Sequence, residues 1–204
     1  MITVVVEGDT DIPFVARLCE GVGIEIRLPV VDAAGKGAVD RDLDGYARAA
    51  QGSPYLVLRD LDQDAACAPA WLETNRPAIT GKFFCLRLAV RAVEAWFLAD
   101  AKTAAASLHL PLAKMPLAPD AEPDPTRTIV NLARSSPKPA IRRGLVPAAG
   151  AKRSVGPDYE GWLIRSAADW SLERALERSP SLAGAKRSLE RLKGIWDGVL
   201  LGRS

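Results

Sequence analysis

Asp60, Asp62 and Asp64 alternate directly behind a short apolar run, in the stretch Tyr55-Leu-Val-Leu-Arg-Asp-Leu-Asp-Gln-Asp64. In extended backbone, residues two apart point to one side, so such carboxylates converge just past the carboxyl end of a strand. Carboxylates that close repel one another, and a hard cation taking oxygen ligands relieves the repulsion. The spacing therefore points to Mg2+, or Mn2+, held at the rim where open α/β sheets put their ligands. Glu7 follows a β-branched run and precedes Gly8, a position with no capping duty. Asp11 lies one helical turn on and can turn toward the same point, although Asp9 and Asp11 also read as plain helix caps. Arg91 and Glu94 share a helix face behind a fourth strand, Glu94 as a further ligand or base and Arg91 on a substrate phosphate. A surface ion pair is the plainer reading of those two.

Spacing removes the commoner alternatives. A calcium loop counted from Asp60 needs Gly and Glu where Ala65 and Trp71 stand. A phosphatase of the haloacid dehalogenase type expects Thr or Val at Gln63 and opens on its acidic strand, whereas here another acidic strand precedes it. Gly35-Lys36-Gly37 lacks the spacing of a phosphate-binding P-loop. His109 is the sole histidine, which argues against a histidine zinc site and leaves His109 as the one route to a Ser-His-Asp triad; its Leu/Pro-rich context reads as structural.

Charge is unevenly distributed. Residues 1–65 carry twelve acids and six bases, while the remainder carries thirteen acids and twenty-one bases. Between Pro125 and Pro157 the bases Arg127, Arg134, Lys138, Arg142, Arg143, Lys152 and Arg153 occur without one acid. An acidic site beside a basic stripe fits a polyanion such as DNA or RNA, with Lys36 a further candidate for its phosphates.

The elements that must position these groups follow from periodicity. Ile2–Val6, Ile24–Val31, Tyr55–Leu58 and Lys82–Leu88 read as strands. Between them lie a helix opened by Pro13 and closed by Gly21 and Gly23, a helix from the Gly35–Gly37 turn to about Gln51, and a short helical stretch near Trp71. A helix over Val90–Ala106 follows. Alternating strands and helices predict an α/β fold, a mainly parallel, helix-flanked sheet of Rossmann-like form. After residue 108 the prolines at 111, 116, 119, 123 and 125 mark an irregular connection. A short helix at Ile129–Arg134, a basic loop and helices over Tyr159–Arg178 and Ser181–Leu201 come next. The expected organisation is an α/β domain over 1–108 and a helical extension over 109–204, packed on it through Trp162, Leu163, Leu172, Leu189 and Trp196. Cys19, Cys67 and Cys85 read as small core residues in a reducing compartment. With no signal-like start and no spanning apolar run, the chain reads as cytoplasmic with no membrane partner.

Glu7 behind the first strand, Asp60-x-Asp62 behind the third and the α/β frame between them resemble the TOPRIM domain of topoisomerases, primases and OLD-type nucleases. Glu94-Ala-Trp-Phe-Leu-Ala-Asp100 and Gly156-Pro-Asp-Tyr-Glu160 resemble the small stand-alone TOPRIM-like proteins of uncharacterised function. The resemblance implies an acidic triad of Glu7, Asp60 and Asp62, with Asp11 and Glu94 as the additional acids of OLD-type nucleases. It further implies a Mg2+-dependent nuclease, the effector of a phage-defence pair beside an ABC-type ATPase. No lysine occupies an obvious equivalent of those nucleases' catalytic lysine. The alternative is a non-catalytic TOPRIM-like module binding a partner ATPase or nucleic acid.

Overall fold

A computed structural model describes residues 1–202. Its centre is a four-stranded, all-parallel sheet in the order β2-β1-β3-β4, with β1 Thr3–Val6, β2 Val31–Asp32, β3 Tyr55–Asp60 and β4 Phe84–Ala89. Parallel strands need crossovers, and helices supply them: α1 Ile12–Val22, α2 Lys36–Ala49 and α3 Ala68–Asn75. The predicted α/β, Rossmann-like class is the one observed. Because every strand runs the same way, the segments behind β1, β2, β3 and β4 all emerge at one rim.

The period-two pattern divides the sheet between two cores. Val4, Val6, Leu56, Leu58 and Cys85 face a large core shared with α1, and Val5, Val57 and Leu88 face a smaller one closed by Val39 and Leu43 of α2 and Trp71 of α3. Full burial of each such aliphatic side chain contributes about 1.5–3 kcal/mol. Helix α1 ends as its glycines foretell: Gly23 adopts φ 71°, and Ile24 N–H returns to the Cys19 carbonyl.

Four expectations need correction. The strand expected over Ile24–Val31 shrinks to an Ile2–Ile26 bridge and the two-residue β2. Pro29 has no N–H for a ladder, and Leu28 is 79 % exposed, so an uninterrupted strand has nothing to gain there. The helix expected over Val90–Ala106 is two helices, α4 Val93–Ala99 and α5 Ala101–Leu108. Asp100 splits them by capping Thr103 N–H of α5. The helix expected over Tyr159–Arg178 is likewise broken, into helices over Tyr159–Ser166 and Leu172–Leu176. Ser171 caps its second part by accepting from Arg174 N–H. Finally, Cys67 is exposed, whereas Cys19 and Cys85 are buried as expected.

The C-terminal half consists of α6 Pro125–Arg134, α7 Pro139–Leu145, α8 Tyr159–Ser166, α9 Leu172–Leu176 and α10 Pro180–Leu201. Its Trp162, Leu163, Trp170, Leu172 and Leu189 lie in the same large core as the sheet residues. Edge-to-face rings tie the halves together: Phe14 with Trp170 at 5.2 Å, Phe97 with Trp162 at 5.4 Å and Phe83 with Trp196 at 4.9 Å. No helix among the described residues is long and apolar enough to cross a membrane.

Candidate functional site

Strand β1 delivers Glu7 to the rim, and β3 delivers Asp60 as its last residue. Glu7 Oε1 accepts from Asp60 N–H at 2.8 Å, so the carboxylate behind one strand grips the end of its neighbour. Asp60 Oδ1 in turn accepts from Val93 N–H at 3.0 Å, at the start of α4. Asp11 Oδ2 accepts from the N–H groups of Glu7 and Gly8 at 3.1 and 3.2 Å. Asp11 thus closes the turn behind β1 and stands beside Glu7, and its side chain caps no N–H of α1. Glu94 is buried on α4, where Oε1 accepts from Thr126 Oγ1 at 3.1 Å and Tyr159 Oη at 3.2 Å. It makes no ion pair with Arg91.

The electrostatics bind these acids into one group. Burial is the largest cause of Asp60's strongly raised pKa, followed by the charges of Asp11, Glu94, Glu7 and Asp62. Burial also lifts Glu7 to about 7 against the pull of the Asp60 N–H, and lifts Asp11 to about 7, where Glu7 and Glu94 add to it. Glu94 is raised by burial against its hydrogen bonds. Carboxyls this buried and this close resist ionising together.

Asp62 and Asp64 depart from the alternation expected of them. The strand ends at Asp60, Asp62 takes a left-handed φ of 48°, and Asp64 N–H turns back to the Leu61 carbonyl. Aspartate tolerates that conformation better than most residues. Lys36, the first residue of α2, pairs with Asp62 at 2.7 Å and Asp64 at 3.1 Å. Arg59, 2 % exposed, grips Asp40 of α2 with two nitrogens at 2.7 and 2.8 Å, reaches Asp64 at 2.6 Å and lies 4.5 Å from the Trp71 ring centroid.

The donor chemistry here is all oxygen, the set that Mg2+ or Mn2+ takes. Glu7, Asp11, Asp60 and Glu94 each accept the hydrogen bonds above through a single carboxylate oxygen. As the side chains stand, no three Asp, Glu, His or Cys residues among the described residues form a group that could hold a metal ion. Loading a cation would require side-chain rotation and release of the protons that burial makes these carboxyls keep.

Beside the acids opens a cleft of about 630 Å3, lined by Lys36, Asp62, Arg91, Thr126, Arg127 and Arg134 among others. Two of the predicted nucleic-acid bases, Arg127 and Arg134, therefore stand in it with Lys36. The remaining bases do not line it: Arg142 donates to the Ser136 carbonyl, Arg153 pairs with Glu160 on the surface, and Lys138, Arg143 and Lys152 are exposed. Arg91, which also lines the cleft, fastens the chain beside it. Its guanidinium donates to the carbonyls of Asp62, Ala65 and Ala66 at 3.0, 2.7 and 3.0 Å, fastening the loop that carries the acids.

Sequence reasoning missed Arg59 and Asp40, the contact of Lys36 with Asp62, and the two hydroxyls on Glu94. Tyr159 had a signal, because it sits inside the Gly156–Glu160 motif; Thr126 and Asp40 had none. No family model, no curated protein and no solved structure matches the chain. The likeness to TOPRIM proteins rests on the motifs quoted above.

Proposed function

We propose that the protein is a metal-dependent phosphodiesterase of TOPRIM type that hydrolyses DNA or RNA. One observation carries the reading: five acids from three segments, Glu7 and Asp11 behind β1, Asp60 and Asp62 behind β3 and Glu94 on α4, stand at a single sheet rim that adjoins a cleft bearing arginines. Asp60, Asp62 and Glu7 would hold Mg2+ or Mn2+, with Asp11 and Glu94 as further ligands. A bound divalent cation supplies neutralisation of a phosphoryl oxygen and lowers the pKa of bound water. The chain's own residues do the rest. Arg127 and Arg134 hold the polyanion in the cleft through its phosphates. Glu7 offers Oε2 to a proton, its Oε1 being engaged by Asp60. Lys36 places a cation at the mouth of the site, the part played by the lysine that the motif comparison lacked. Arg91 and Arg59 position the acidic loop.

Purified protein should cleave plasmid, single-stranded DNA or RNA in Mg2+ or Mn2+ and not in EDTA. Asp60→Asn and Glu7→Gln should each lower the rate by on the order of a hundredfold or more. Cleavage that survives both substitutions refutes the proposal. Two facts favour a second reading, a non-catalytic module that binds nucleic acid or an ABC-type ATPase: Lys36 already neutralises Asp62 and Asp64, and no ready three-ligand group exists among the described residues. Tight oligonucleotide or ATPase binding with no cleavage under any metal would select it. Action as the effector of a phage-defence pair is the biological setting that goes with the first reading.

A further inference from the structure

Among the described residues, one buried side-chain polar atom has no hydrogen-bond partner, and it is Arg87 Nε. Arg87 sits on β4, the open edge of the sheet, beside α10. A Cβ built on Gly184 of α10 would lie 3.1 Å from Arg87 Nη2 and 3.9 Å from Arg187 Nη2, so both guanidiniums crowd the same point on that helix. One turn on, Arg191 donates to Ser188 Oγ at 2.9 Å. Arg87, Arg187 and Arg191 have no carboxylate partner among the described residues. The acids of α10 are spent elsewhere, Glu190 on Lys186 and Asp197 on Lys193. Between β4 and α10 lies a groove of about 260 Å3 lined by Lys82, Arg87, Ser188 and Arg191. None of its residues lines the cleft beside the acids.

Three guanidiniums gathered without a counter-charge repel one another, and a buried N–H without an acceptor forgoes a hydrogen bond. Burial, followed by the charges of Arg191 and Arg187, presses Arg87 below the usual arginine range, with Cys85 opposing. The arrangement is costly until an anion enters it. We propose that this groove binds a phosphate group, at a site separate from the acidic rim. Guanidinium forks match tetrahedral phosphate oxygens in pairs, and the Ser188 hydroxyl adds a donor. The groove is smaller than the roughly 300–1,000 Å3 that enclose a drug-sized ligand, so it takes a phosphate rather than a whole nucleotide. That phosphate belongs either to a small phosphate compound or to a nucleic-acid strand crossing the sheet edge.

The test is calorimetric and thermal titration of the full chain at fixed ionic strength. The probes are inorganic phosphate, a nucleoside monophosphate and a short single-stranded oligonucleotide. Phosphate should bind and raise the melting temperature, and the exposed pair Arg187→Ala and Arg191→Ala should weaken its binding by about tenfold or more. Arg41→Ala with Arg48→Ala, which together remove an equal charge from α2, should leave phosphate binding within about twofold. A strand source is selected if the double substitution also weakens the oligonucleotide, and a small-molecule source if only the two small probes are affected. Failure of phosphate to bind the unaltered chain overturns the proposal. Equal binding by the double variant overturns it as well. Neither readout depends on cleavage, so this site and the proposed nuclease stand or fall separately.

Discussion

Asp60 is the carboxylate with most set against its charge, since burial and four neighbouring acids all raise its pKa. Glu7 and Asp11, each at about 7, carry that tension into a measurable range. Above their ordinary values of 4.5 and 3.8 the unfolded chain releases protons that the native protein keeps. The stability they contribute is therefore complete below those ordinary values and is lost as pH rises through about 7. In EDTA the melting temperature should fall between about pH 4 and pH 7, and Glu7→Gln should flatten the fall. An identical profile in the variant would show that Glu7 is not the group responsible. Lys36 makes a different prediction. Its pairs with Asp62 and Asp64 are well exposed, so Lys36→Met should change stability by less than about 1 kcal/mol. If Lys36 serves the cleavage reaction, the rate drops by about tenfold or more while the melting temperature holds.

At the scale of elements, the loop from Leu61 to Cys67 is fastened from two sides. Arg91 holds its carbonyls from the β4–α4 connection, and Arg59 holds Asp64 from β3 while anchoring Asp40 of α2. Arg59→Ala leaves Asp40 and Asp64 without their buried partner. Both are partly solvated, so the cost falls toward the lower end for a broken buried pair, about 2–4 kcal/mol, measurable by urea unfolding. The position of α8 has its own checkpoint at Gly156, where a Cβ would come within 2.3 Å of the Gly144 carbonyl oxygen. Backbone cannot yield as a side-chain tip can. Gly156→Ala should cost about 1–3 kcal/mol and displace the Tyr159 hydroxyl from Glu94, quenching or shifting tyrosine-sensitive signals on denaturant titration. A variant as stable as the parent would mean that the α7–α8 connection moves freely.

Across the whole molecule, the helical extension beyond residue 108 shares one core with the sheet, through Trp162, Leu163, Leu172 and Leu189 as expected. Trp96 and Phe97 of α4 are fully buried, and what covers them includes Trp162, Trp170 and Ser181 from beyond that boundary. A chain cut after residue 108 would expose those rings, and it should lack the dispersed amide spectrum and cooperative melt of a folded domain; a cooperative melt would establish the first half as independent. How far the fold could be read from sequence follows from the range of the forces involved. Val4, Val5 and Val6, or Leu56, Val57 and Leu58, declare strands because a β-branched or aliphatic run of that length has few other uses. Alternation with helices makes the sheet parallel and puts whatever follows β1, β3 and β4 at one rim. Glu7, Asp60 and Glu94 were legible for that reason alone. The breaks at Asp100 and Ser171 were not, because a helical pattern continues through both residues and only the contacts of Arg174 and the neighbouring cap show why the chain turns. The sequence by itself thus determined the layered architecture and the rim on which the acids gather, both consequences of local pattern and chain direction. Which oxygen meets which N–H, that Lys36 and Arg59 hold Asp64, and that Tyr159 reaches Glu94 were decided only by tertiary structure, since each joins residues whose encounter depends on how distant segments pack.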